Sequence, residues 1–183
     1  MNYDYQLFYL LNNQLTNPLF DWLMPFVRNQ YFWSPLYLFV IAFLFLNYPR
    51  RTAWIVLIGA LVTFALSDQI SASIIKPLVG RLRPCRDPQI VEIVRLLVPC
   101  GSGKSFVSSH AANHFAIAAY FSLLFNNNRF TFIAMFWASL VAYAQIYVGL
   151  HFPADVFGGA LLGVLIALLT VTFMQRLLVD TKN

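Results

Sequence analysis

Charge is what this chain has least of. Only 10% of its 183 residues are Asp, Glu, Lys or Arg, while 60% are hydrophobic and the mean hydropathy is +0.67. Soluble domains carry about 25% charged residues, so a soluble globular domain is excluded and an integral membrane protein is indicated. Residues 1–30 lack a basic leader, and Asp4, Asn12, Asn13, Asn17 and Asp21 interrupt their apolar pattern. No cleavable signal peptide is expected, so the membrane helices would direct insertion. Internal repeats and low-complexity tracts are also missing. No basic stripe interleaved with aromatics marks a nucleic-acid groove. The net charge of +5 therefore needs another explanation, and six of the twelve basic residues lie between Lys76 and Lys104.

The apolar runs place the helices. Residues 2–27 read as amphipathic pieces. Tyr5, Phe8, Leu11 and Leu15 recur at helical spacing, Asn17-Pro18 breaks the run, and Phe20, Trp22, Leu23 and Phe26 begin another. Interrupting polar groups favour a helix lying in the interface or partly inserted. Five candidate spans follow: Tyr31–Leu46, which carries Pro35, then Ala53–Ile75, Phe106–Phe125, Phe130–Leu150 and Ala154–Met174. A crossing takes about 20 residues. The spacing thus predicts an all-α, polytopic membrane helical bundle of five to six membrane helices, as a single domain over residues 1–183. Its subdivisions are the N-terminal segment 1–30 and one long loop, 76–105.

Alternating spans put three polar segments on one membrane face: Lys76–Pro84, Ser108–His110 and Gln145–Asp155. Arg50, Arg51, Arg129, Arg176 and Lys182 fall on the other face. Counting every cation would put the polar segments in the cytoplasm. If the loop's cations serve function instead, the balance reverses and the polar segments lie outside.

Each segment suits anion chemistry. Pro77 cannot continue a helical ladder, so the second span should end near Lys76. The chain then turns and brings the Arg83 fork toward the Lys76 ammonium, a good pair for phosphate oxygens. The same cations would also suit headgroup snorkelling, which is the reading preferred for Arg81 and Arg86. Ser108 is a plausible N-cap, and a helix N-terminus there offers free N–H groups to an anion. A phosphate so held would lie beside His110, a proton donor to a leaving oxygen. Pro153 fits a first helical position, which leaves Asp155 in the first turn. Its carboxylate could fix the tautomer of His151 and free the other nitrogen as a nucleophile.

Together the three segments resemble the type 2 phosphatidic acid phosphatase family, which includes bacterial polyprenyl diphosphate phosphatases and vanadium haloperoxidases. The family's first motif is Lys, six residues, Arg-Pro, and Lys76 to Pro84 matches it fully. Its second, Pro-Ser-Gly-His, appears as Val107-Ser108-Ser109-His110. Its third, Ser-Arg, five residues, His, three residues, Asp, appears as Ala144-Gln145, His151 and Asp155. The resemblance implies a polytopic lipid phosphatase that needs no metal. In it His151 would form a phosphohistidine, Asp155 would orient it, and His110 would act as general acid. Lys76, Arg83, Ser108, Ser109 and Gln145 would hold the phosphoryl oxygens. Two departures matter. Ser109 replaces a glycine, and Gln145 replaces an arginine, which removes one cation. Lys104 is a candidate replacement for that charge.

Other signals are weaker. Gly101-Ser-Gly-Lys-Ser105 ends like a nucleotide-binding loop, but Val98 stands where that pattern needs glycine. His110 and His114 have a metal-ligand spacing, yet no third ligand accompanies them. Asp68 lies two turns before Lys76 and would orient a basic residue or simply accept a buried hydrogen bond. Cys85 and Cys100 would form a disulfide if their loop faces an oxidising compartment, worth roughly 3 kcal/mol on the chain-entropy model. Gly159 and Gly163 read as a helix-packing pair.

The expected function is thus hydrolysis of a phosphomonoester or diphosphate of a membrane lipid. Polyprenyl diphosphate, phosphatidic acid, phosphatidylglycerol phosphate and lipid A phosphate all fit. The expected partners are that lipid and the bilayer, with no nucleic acid and no metal. The expected location is a bacterial inner membrane with the site on the periplasmic or outer face. A non-catalytic lipid-phosphate binder and a transporter are the alternatives.

Overall fold

The computed structural model describes residues 3–179. Lys182 of the charge count, and Met1 and Asn2 of the N-terminal segment, lie outside the described residues. Helix α1 (Tyr3–Tyr9) runs into a π turn (Leu10–Gln14), and α2 (Pro18–Val27) follows. The break falls at Asn17-Pro18, where the Asn17 side chain accepts the Phe20 N–H at 2.9 Å. Helix α3 (Ser34–Asn47) starts after a 3-10 turn at Gln30–Trp33. Pro35 sits in its first turn, where a missing N–H costs nothing.

Helix α4 (Arg50–Gln69) does not stop at Lys76. A π turn (Ile70–Ile75) carries it into α5 (Lys76–Val79). The Lys76 N–H bonds to Ser71 O, five residues back, which widens the turn just before Pro77. The helix ends instead at Gly80, whose φ of +66° suits glycine and whose N–H bonds to Lys76 O at 3.0 Å. The last three helices are α6 (Ser109–Phe125), α7 (Asn128–Tyr147) and α8 (Pro153–Val179).

Gln30–Asn47, Arg50–Arg86, Asn128–Tyr147 and Pro153–Arg176 are long and apolar enough to cross a membrane. Helix α6, at 17 residues, is shorter, but it is the central helix, packed by α4, α7 and α8. Its Ala111, Ala112, Ala116, Ala118, Ala119 and Tyr120 are buried. Small residues let it sit there. A Cβ at Gly163 would lie 2.2 Å from Ala112 O, and one at Gly159 would lie 2.5 Å from Ser108 O. The glycine pair therefore sets the α6–α8 spacing, the close approach that small residues permit in membranes. Thr63 and Thr170 add a buried hydroxyl contact of 2.8 Å between α4 and α8.

The N-terminal segment is docked on the bundle. Phe8 is buried with Ile90, Ile146 and Phe152. Met24 and Val27 of α2 are buried against Val141, Ala144, Tyr147 and Val148 at the end of α7. Asn12 is fully buried and donates to the carbonyls of Arg95 and Tyr147, both at 2.8 Å, while its Oδ1 accepts the Arg95 N–H. The Arg95 guanidinium pairs with Asp21, which also accepts from the Tyr147 hydroxyl at 2.6 Å. The long loop is pinned in turn by a disulfide between Cys85 and Cys100 and by the Leu97 N–H to Val148 O.

Candidate active site

The end of α4–α5, the start of α6, the end of α7 and the start of α8 meet at one end of the bundle. The contacts are direct. Ser71 donates to Ser109 Oγ at 2.9 Å, and the Ser108 N–H bonds to Asp155 O at 2.9 Å. Arg83 Nη1 lies 3.2 Å from His151 Nε2. The three sequence segments thus meet at that end, with the cations of the opposite face at the far end of α4, α7 and α8.

His151 is 1% exposed and held at both nitrogens. Arg83 is a permanent donor, so the Nε2 it faces must accept. That puts the ring proton on Nδ1, which lies 3.5 Å from Asp155 Oδ2. The sequence places those two groups in direct contact. The structure keeps that contact and adds the Ser105 hydroxyl, 3.3 Å from Nδ1 and 2.5 Å from Asp155 Oδ2. Burial pushes the His151 pKa down to about 4, with the Arg83 charge acting in the same direction. The imidazole is therefore neutral, with a free lone pair, at ordinary pH.

Asp155 is fully buried and its oxygens are saturated. Oδ2 also accepts the Phe152 N–H at 2.9 Å, and Oδ1 accepts Arg81 Nη1 at 2.7 Å. Arg81, read from sequence as a headgroup or loop contact, is thus the ion-pair partner of the third-motif aspartate. Its guanidinium lies 4.0 Å from the Phe152 ring centroid and reaches Asp4 Oδ2 at 2.5 Å. The other Asp4 oxygen accepts the Ala154 N–H at 2.8 Å, which caps α8 from the other end of the chain. Ser105, Arg81 and Asp4 were missed because their partners are distant in sequence. The one signal was Ser105 itself, part of the glycine-serine cluster set aside as an imperfect nucleotide loop.

The cationic side is built from Arg83 and Lys76. Arg83 is aimed by backbone carbonyls, Gly103 O at 3.0 Å and Leu150 O at 3.3 Å. Lys76 is close enough to Arg83, Asp68 and Asp155 to feel their charges. Among the described residues neither cation forms an ion pair. Ser108 is the N-cap of α6, its Oγ 3.4 Å from the Ala111 N–H. The first helical bond runs from the Ala112 N–H to Ser108 O, so the N–H groups of Ser109 and His110 precede the ladder. The His110 ring lies in electrostatic range of His151, Lys76 and Arg28. Asp68 accepts from Asn113 at 2.9 Å, and Lys104 is exposed without contact to these groups. Gln145 is fully buried, and Arg28 Nε lies 3.5 Å from its Oε1.

A buried, neutral histidine beside a cation that is unpaired among the described residues, at the end of the bundle where α6 begins, is an arrangement suited to anion chemistry. The chain belongs to the PAP2 superfamily, whose model matches residues 53–178. It is 32% identical over 156 residues to a lipid A 4'-phosphatase of Bacteroides thetaiotaomicron, covering 84% of this chain and 69% of that one. It is 31% identical over 175 residues to an undecaprenyl-diphosphatase of Sulfolobus acidocaldarius, covering 93% and 78% respectively. The crystal structure of Aquifex aeolicus LpxE superposes with a TM-score of 0.72 at 28% identity, covering 94% of this chain and 96% of that chain.

Proposed function

We propose that this membrane lipid phosphatase acts by in-line attack of His151 Nε2 on phosphorus. The observation that carries the reading is the placement of His151 between Arg83 and the Ser105–Asp155 pair. Arg83 faces Nε2, while Ser105 and Asp155 lie on the Nδ1 side. When a phosphate binds, Arg83 transfers its fork to the phosphate oxygens and releases the lone pair. Lys76 and the N–H groups of Ser109 and His110 hold the remaining oxygens, where charge develops. His110 gives its proton to the leaving oxygen, and the lipid departs. Water then attacks the phosphohistidine, His110 takes the water's proton, and inorganic phosphate leaves with His151 restored. The imidazolium formed at His151 is stabilised by Asp155, whose own charge is balanced by Arg81.

The lipid's chains stay in the bilayer and its headgroup reaches the site at the interface. A lipid A phosphate is the favoured substrate, on the likeness to the Bacteroides lipid A 4'-phosphatase. The site faces the periplasmic or outer side of a bacterial inner membrane, a reading supported by the Cys85–Cys100 disulfide on that face. The test is phosphate release by purified protein from lipid A, undecaprenyl diphosphate, phosphatidic acid and phosphatidylglycerol phosphate, with and without EDTA. Release is expected to be fastest from lipid A, insensitive to EDTA and abolished by His151→Ala. Release that survives His151→Ala, or that requires a divalent ion, would overturn the mechanism.

A further inference from the structure

We propose that Arg28 is a phosphate-binding residue of this site and that, with Gln145, it takes the place of the arginine in the family's third motif. Arg28 lies outside the 53–178 region that matches the family model. It immediately follows α2, where its N–H closes that helix on Met24 O at 3.1 Å. Trp33 Nε1 donates to Val27 O at 2.8 Å and fixes the chain on the other side. Met24 and Val27 are buried against Ala144 and Val148, the neighbours of Gln145 on α7. That packing, rather than chance, sets Arg28 over Gln145.

Three observations point to an anion between them. Arg28 is half-buried, and among the described residues it has no carboxylate partner. It nonetheless lies within electrostatic range of Arg83 and of His110, as Lys76 does. Lys76 and Arg83 have Asp155 within electrostatic range, but Arg28 has no acid acting on it, and a half-buried cation so placed is costly unless an anion joins it. Gln145 Nε2, finally, is buried with no hydrogen-bond partner. Arg28 approaches the Oε1 side, which leaves that N–H as an orphan donor, the expensive condition that a bound acceptor relieves. The Nη nitrogens of Arg28 have no partner among the described residues, so its fork is free for phosphate oxygens. Gln145 supplies a neutral donor from α7 and Arg28 supplies the charge from α2. The two elements divide what one arginine side chain would do. Lys104, exposed and out of contact, is not needed for this.

This inference rests on the phosphatase reading, and its test separates the two. Wild type, R28Q, R28K, Q145R and the R28Q/Q145R double variant are compared for KM and kcat on the preferred lipid. Inorganic phosphate serves as the probe of the site itself, by its inhibition constant and by phosphorus NMR titration. R28Q is expected to weaken phosphate binding and raise KM by about 10- to 100-fold, the loss of one charge-assisted contact. R28K retains part of the affinity, since it keeps the charge and loses the fork. The double variant recovers most of the loss, because Q145R restores the cation from α7. Unchanged phosphate affinity in R28Q, or failure of Q145R to rescue it, would overturn the proposal. If R28Q lacks a melting transition in detergent, R28K against wild type reads the same contrast, and equal affinity there is equally fatal. Wild-type protein that binds phosphate through Arg28 but releases none from any lipid would refute the phosphatase mechanism alone.

Discussion

Arg81 shows how much of this site depends on a group the motifs do not name. It sits between Asp155 and Asp4, stacked on Phe152, and touches neither His151 nor the space where phosphate would bind. On the proposed mechanism it is a positioning residue. Arg81→Gln is expected to lower kcat by about 100-fold, the scale of a misplaced nucleophile, while the affinity for inorganic phosphate stays at the wild-type value. A loss of phosphate affinity equal to the loss in kcat would show that Arg81 binds substrate instead. The residues legible in the sequence were those whose chemistry is local. Lys76 and Arg83 lie seven positions apart, and His151 and Asp155 four. Arg81 meets Asp155 across 74 positions, and Arg28 meets Gln145 across 117. Spacing carries no signal at that range. Polarity did mark Ser105, but only the fold could show that its hydroxyl lies between a histidine and an aspartate.

The elements were legible where hydrophobic length decides them. The starts of α7 and α8, the break at Asn17-Pro18 and the packing role of Gly159 and Gly163 all follow from sequence. The end of α4 did not, because Pro77 was read as a stop. The π turn at Ile70–Ile75 absorbs the missing donor and lets the helix run on to Gly80. The tightest constraint at this scale is the α6–α8 contact. Gly163→Ala would push a methyl against Ala112 O and Ala116 N, at 2.2 and 2.8 Å. Both are backbone atoms and cannot move aside. A loss of about 1–3 kcal/mol is expected, the usual cost of overpacking. A lowered melting temperature in detergent measures it, and a wild-type melting curve would mean that the two helices separate more easily than this packing allows.

At the scale of the molecule, the site end and the far end are chemically distinct. The disulfide, the loop, His110 and His151 share the site end, and Arg50, Arg51, Arg129 and Arg176 share the other. Oriented this way, the intact protein should carry one disulfide and no free thiol. Non-reducing and reducing gels should therefore differ in mobility, and intact mass after alkylation without reductant should show no label. Cysteines introduced at Lys104 and at Arg129 extend the test to orientation. A membrane-impermeant maleimide should label the first and not the second in intact cells, and the reverse pattern would place the site in the cytoplasm. The number of crossings was legible only as a range because residues 1–30 read as either interfacial or partly inserted. Helix α6, at 17 residues, is shorter than the span expected over Phe106–Phe125, and its surroundings are protein, which a hydropathy reading cannot distinguish from lipid.

Asp4 also sets a timetable. It holds Arg81, 77 positions further on, and the start of α8, 150 positions further on. At about 5–20 residues per second a ribosome needs about 10–30 s to span the longer interval. Until then Asp155, the balance for the nucleophile's charge, has not been made, and the earlier half of the chain waits with its acid and its arginine already in the bilayer. The charge balance of the proposed nucleophile is therefore completed only when the final helix has been made.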